Sequence, residues 1–220
     1  MKENCSCCEE VVLDWRQPAN IMRYFNALFK NPVEMVSRFA LSGDMTSSLV
    51  LIIMNIIAVF ISGIMLVISF KLRYGMYMSW LHISGIGIIA VMVLLSTVFD
   101  FGLAGILLLS TGTIFKEETT FSKMFALTAG KVAVDSVFIL LGGILSVIST
   151  FFFILPVVAG NILSFAVLIV SYGEITNISY PKKLYSIAGS ISIIMIIMTI
   201  SWRIIYGIIV NLLLMGYSGL

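Results

Sequence analysis

The chain has 220 residues, of which 60% are hydrophobic and 11% charged, with a net charge of +2. That balance excludes a soluble globular domain and places the chain among integral membrane proteins. The charge is too small, and its basic residues too scattered, for a nucleic-acid partner, so the partner expected first is the lipid bilayer.

Residues 1–18 read as a flexible tail holding all three cysteines, Cys5, Cys7 and Cys8. They stand too close together for a disulfide framework and fit a reduced, cytoplasmic segment. Structural zinc needs a full tetrahedral ligand set, which one C-x-C-C does not supply when His82 is the only histidine. An unstructured tail is the default, with lipid attachment or an intermolecular metal contact as alternatives; no cofactor is expected. The first long apolar run begins near Leu49, too late for a cleavable signal peptide, so the N-terminus is expected to be retained.

Residues 19–44 read as two short amphipathic helices on the cytoplasmic side. In the first, Ile21, Phe25 and Leu28 share a face that Arg23, Asn26 and Lys30 avoid. In the second, Asn31 suits an N-cap, Pro32 the first helical position, and Glu34 follows the cap by three residues, as in a capping box. Met35, Val36 and Phe39 form its apolar stripe, and Ser42-Gly43-Asp44 ends it. Such helices lie on an anionic leaflet or pack on a bundle's cytoplasmic face, and the sequence is compatible with both.

Residues 45–220 form the transmembrane domain. A hydrocarbon core takes roughly 20 apolar residues of helix. The runs from Thr46 to Phe70, Val132 to Phe153, Val157 to Tyr172 and Ser186 to about Ile209 meet or approach that length. The run from His82 to Phe115 is long for one crossing and short for two. The positive-inside rule decides between them. One crossing leaves Lys71 and Arg73 outside, with Arg203 near the outer end of the last helix, and gathers Lys2, Arg16, Arg23, Lys30, Arg38, Lys116, Lys123, Lys131, Lys182 and Lys183 inside. Two crossings would move Lys116, Lys123, Lys131, Lys182 and Lys183 outside as well, which the rule disfavours. The expectation is an all-α polytopic membrane helix bundle of five transmembrane helices, preceded by the cytoplasmic amphipathic helices. Its N-terminus is then cytoplasmic and its C-terminus external.

Within that plan Tyr74, Tyr77, Trp80, Trp202 and Tyr206 mark the outer interface, and Tyr172, Tyr180 and Tyr185 the inner one. His82 falls at the outer start of the second crossing. Thr119 or Thr120 caps the helix that leads into the third crossing, and Pro156 opens the fourth after a tight external turn at FFFILP. Ala126, Ala129, Gly130 and Ala133 are small residues at helical spacing, a pattern that lets backbones approach closely.

Ionisable residues inside a bilayer are costly and are functional candidates by default. Asp100 lies about 27 Å of helix from His82 and suits a proton or cation relay, or a buried hydrogen bond to a Ser, Thr or Lys131 of a neighbouring helix. Lys131 and Asp135, four apart on one face, can neutralise each other. Glu174 stands near Lys182 and Lys183, and Asn161 calls for an interhelical partner. No HExxH, G-x-S-x-G or P-loop pattern occurs, so a non-enzymatic protein is expected, without catalytic residues or an identified small-molecule substrate.

Two stretches, LFKNPVEMVSRF before the first crossing and KEETTFSKMFALTAG between the second and third, resemble the YIP (Ypt-interacting-protein) family in its short prokaryotic form. The resemblance covers roughly Phe25 to the C-terminus, and the acidic Asp-Leu-Tyr-Gly-Pro stretch of eukaryotic members is absent. It implies five membrane helices in a bacterial inner membrane and a role in membrane organisation or trafficking, with other membrane proteins or further copies of the chain as partners. The rival expectation is a small-solute or ion carrier working through Asp100, Lys131, Asp135 and Glu174.

Overall fold

The computed structural model describes residues 18–74, 85–176 and 178–217. They form seven helices: α1 (Pro18–Lys30), α2 (Pro32–Ser42), α3 (Met45–Tyr74), α4 (Gly85–Leu109), α5 (Phe121–Ser146), α6 (Thr150–Ile175) and α7 (Tyr180–Tyr217). A π turn, Ser110–Ile114, extends α4, and no strand occurs among the described residues. Four segments, Met45–Arg73, Ile89–Ile114, Phe121–Ser146 and Phe151–Ile175, are long and apolar enough to cross a membrane. Cys5, Cys7, Cys8, Tyr77, Trp80 and His82 lie outside the described residues, as do the side chains of Trp202 and Tyr206.

From Gly85 onward the run between His82 and Phe115 is one continuous helix. α4 passes through Ser96–Gly102 without a turn and carries Asp100 in its interior. Nothing in that stretch breaks a helix: it has no proline, and Gly102 costs about 1 kcal/mol of propensity at most.

α5 is the central element. Of its apolar stretch 72% is buried, against 39% for α3, 22% for α4 and 28% for α6, which turn large apolar side chains outward as a lipid-facing shell would. Small residues let its neighbours come close. A Cβ on Gly143 would stand 2.8 Å from the Ser62 Cα of α3, and one on Gly160 of α6 would stand 2.3 Å from Phe138 Cβ. Ala126, Ala129, Gly130 and Ala133 are all buried, and Gly130 faces Val36 of α2, whose Cγ1 would lie 2.8 Å from an added Cβ. Ser62 Oγ donates to the Ile139 carbonyl (2.9 Å) and Ser69 Oγ to that of Ser146 (2.5 Å), tying α3 to α5. Arg73 closes that end by donating to the carbonyls of Val147 (3.2 Å) and Ile148.

The short N-terminal helices pack on the bundle. Tyr24, Leu28, Val36, Phe39 and Ala40 join the main core, and Ser171 Oγ of α6 donates to the Val33 carbonyl at 3.2 Å. Burial pushes the Tyr24 phenol above its ordinary pKa. Asn31 caps α2, its Oδ1 accepting the Glu34 N–H (3.5 Å) while its Nδ2 donates to Glu34 Oε2 (2.6 Å). The Asn31 backbone N–H is already spent on the Ala27 carbonyl of α1, so Glu34 takes the side-chain amide instead. Pro32 fills the first position, where its missing N–H costs nothing. Gly43, at φ +59°, ends α2, and its carbonyl accepts from Ser122 Oγ at the start of α5. Asn31→Ala is expected to lower stability by about 1 kcal/mol, read as a lower unfolding temperature in detergent; an unchanged temperature would show the cap to be dispensable.

One boundary differs from the sequence expectation. The turn between α5 and α6 falls at Val147–Ser149, ahead of FFFILP, and Pro156 lies inside α6 rather than at its start. Ser149 is the better cap, its Oγ accepting the Phe151 N–H at 3.4 Å. Proline at position 156 removes one helical donor, a loss confined to a single carbonyl near the helix start.

Candidate functional site

The sequence places an amide in the middle of α3, a carboxylate in the middle of α4 and two opposite charges one turn apart on α5. The bundle brings them together. Asn55 of α3 donates through Nδ2 to Asp100 Oδ2 (3.2 Å) and Ser96 Oγ (3.1 Å) of α4. Its Oδ1 accepts from Ser136 Oγ of α5 (3.0 Å), a hydroxyl that also faces the Val132 carbonyl at 2.8 Å. Asn55, Asp100 and Ser136 are 2%, 3% and 5% exposed, so these bonds form away from solvent.

Lys131 and Asp135 make an ion pair through Asp135 Oδ2. Both are buried, at 2% and 7% exposure. The ammonium also stands 4.6 Å from the ring centre of Phe165 (α6) and 5.2 Å from that of Phe99 (α4), two rings in edge-to-face contact. Aromatic faces supply a partial negative charge that a desolvated ammonium needs. Asp135 Oδ1 has no hydrogen-bond partner among the described residues. Lys131 and Asp135 both lie within electrostatic reach of the Asp100 carboxylate. The cluster therefore sets two carboxylates against one ammonium in an apolar interior.

Other residues singled out by sequence fall elsewhere. Asn161 donates to the Val157 carbonyl of its own helix (2.8 Å), not to a neighbouring helix, because a short amide can bond back to the carbonyl one turn before it. Glu174 is exposed at the end of α6, outside the cluster. Beside it Lys183 Nζ donates to the Gly173 carbonyl at 2.5 Å, so this cation satisfies a helix end instead of a carboxylate. Tyr172 is fully buried within the bundle. Its hydroxyl joins a chain with Thr111 (2.7 Å) and Ser186 (3.2 Å), and Ser186 meets Ser110 at 2.6 Å. That chain links the π turn to α6 and α7. Asn55, Ser96 and Ser136 were not singled out by sequence, although a lone amide inside the apolar run from Thr46 to Phe70 carries the same signal as Asp100.

Four apolar helices around a buried polar cluster define a membrane-embedded helical protein. No family model, curated protein or solved structure matches the chain.

Proposed function

We propose that the chain is a five-crossing membrane protein of YIP-like plan, with its N-terminus cytoplasmic, its C-terminus external and a non-enzymatic role in organising membrane or binding other membrane proteins. The observation that carries this reading is the division of charge. Lys30, Arg38, Lys116, Lys123, Lys182 and Lys183 belong to the end where α1 and α2 pack, whereas Lys71 and Arg73 stand at the other. A bilayer sorts basic residues in this sense. α7, at 38 residues, is long enough for the fifth crossing and carries the run from Ser186. On a cysteine-free background, Ile148→Cys and a cysteine appended to the C-terminus are expected to react with an impermeant thiol reagent added outside whole cells, and Lys30→Cys to be protected. A C-terminus protected together with Lys30→Cys would remove the fifth crossing.

A second reading, a carrier of a small solute or ion, is favoured by the Asp100 cluster. Polar groups at such depth commonly line ion pathways. Reconstituted protein showing no solute-dependent or ion-dependent flux, or flux indifferent to Asp100→Asn, would remove it.

A further inference from the structure

We propose that Asp100 and Asp135 hold one exchangeable monovalent cation, a proton or an ion of the sodium class, between α4 and α5. The inference rests on the carrier reading for its residues only; a site that binds without any flux would end carriage and leave the binding intact. Two observations carry it. The charges within the cluster do not cancel: Lys131 neutralises Asp135 and leaves the second carboxylate, Asp100, with a neutral amide as its hydrogen-bond donor. An unbalanced charge in an apolar interior is strongly disfavoured, so one further positive charge is required. Asp135, 7% exposed, keeps Oδ1 free of any hydrogen-bond partner among the described residues, while its ion pair uses Oδ2.

Among the described residues, the elements packed around Asp100 supply no other charge there. α3 contributes Asn55, α5 contributes Lys131, Asp135 and Ser136, α6 contributes the Phe165 ring, and α7 approaches at Ile194 beside Gly102. A divalent ion would overcompensate the single unit of surplus charge, and no group of three or more His, Cys, Asp and Glu side chains gathers among the described residues to offset it. Hydroxyl and carboxylate oxygens with one unit of net negative charge suit a single monovalent charge. If that charge is a proton, Asp100 becomes a neutral carboxylic acid and nothing else is consumed.

The test is carbodiimide labelling, which modifies a protonated carboxyl in apolar surroundings and is read by mass spectrometry of the Asp100 peptide. The full chain is placed in nanodiscs of phosphatidylethanolamine and phosphatidylglycerol. Labelling of Asp100 that falls about tenfold per pH unit once the carboxyl deprotonates, and ignores sodium chloride, identifies the charge as a proton. Labelling suppressed when sodium chloride replaces N-methylglucamine chloride identifies the sodium class. Asp135→Asn removes the surplus carboxylate, leaves Lys131 to balance Asp100, and is expected to lower the labelling at least about tenfold under the conditions where wild type reacts best. Absence of labelling across the pH range without sodium, labelling indifferent to both pH and sodium, or an Asp135→Asn protein labelled as strongly as wild type would overturn the proposal.

Discussion

Gly143→Val is expected to destabilise the bundle by about 3 kcal/mol or to prevent its assembly, measured as loss of the monodisperse species in detergent and a lower unfolding temperature. An added Cβ would lie 2.7 Å from Ser62 Oγ and 2.8 Å from Ser62 Cα. The hydroxyl could rotate away, but the Cα belongs to the α3 backbone, so relief requires α3 and α5 to separate. Separation would also stretch the bond from Ser62 Oγ to the Ile139 carbonyl, made one turn away on the same face. Gly105 supplies the control. None of the described residues lies within 4 Å of a Cβ placed there, so Gly105→Ala gains helix propensity, up to about 1 kcal/mol, with no steric cost from them. Equal losses at both glycines would show that general helix perturbation, not the α3–α5 approach, sets the stability.

Lys131→Met is expected to cost about 3–5 kcal/mol, because it leaves Asp135 buried beside Asp100 without the ammonium. It also removes the cation from the Phe165 and Phe99 rings. The double change Lys131→Met, Asp135→Leu removes both partners and is expected to lose much less, since two apolar side chains of similar volume leave neither charge of the pair stranded and the single surplus charge of Asp100 as it was. Unfolding temperatures of the two proteins in the same detergent decide the matter. A double variant as unstable as the single one would mean that the pair's packing, not its charge, matters.

How far the fold is legible in the sequence depends on what interrupts the apolar runs. Around Asp100 the division of lysines and arginines argues for one crossing, and α4 is a single helix there. Between Val132 and Tyr172 apolar residues run almost without a break, so periodicity marks no boundary. Pro156 attracts the helix start that Ser149 provides, because an interior proline near a helix beginning costs little and a side-chain cap supplies an acceptor that FFFIL lacks. Of the candidate site, the pairing of Lys131 with Asp135 is readable as spacing along one helix face. Which face looks inward is not readable from spacing. Asn161 and Asn55 are equally isolated amides in apolar surroundings, yet one bonds within its own helix and the other bridges three helices. Only the packing of α3 on α5, set by Gly143 and Ser62, tells them apart.

The segment Ser110–Ile114 closes a wider ring than its neighbours, with the Phe115 N–H donating to the Ser110 carbonyl at 3.2 Å, and the chain then leaves the helix through Lys116 at φ 55°. Such a ring is what one surplus residue does to a regular helix. Removing that residue would rewind the end of α4 by about 100°, swinging Thr111 off Tyr172 and aiming the Lys116–Glu118 loop in a new direction. The helical phase that seats the hydroxyl chain is thus encoded by a single codon's worth of length. Gain or loss of one residue in this stretch is therefore a graver change to the protein than most replacements of a side chain within it.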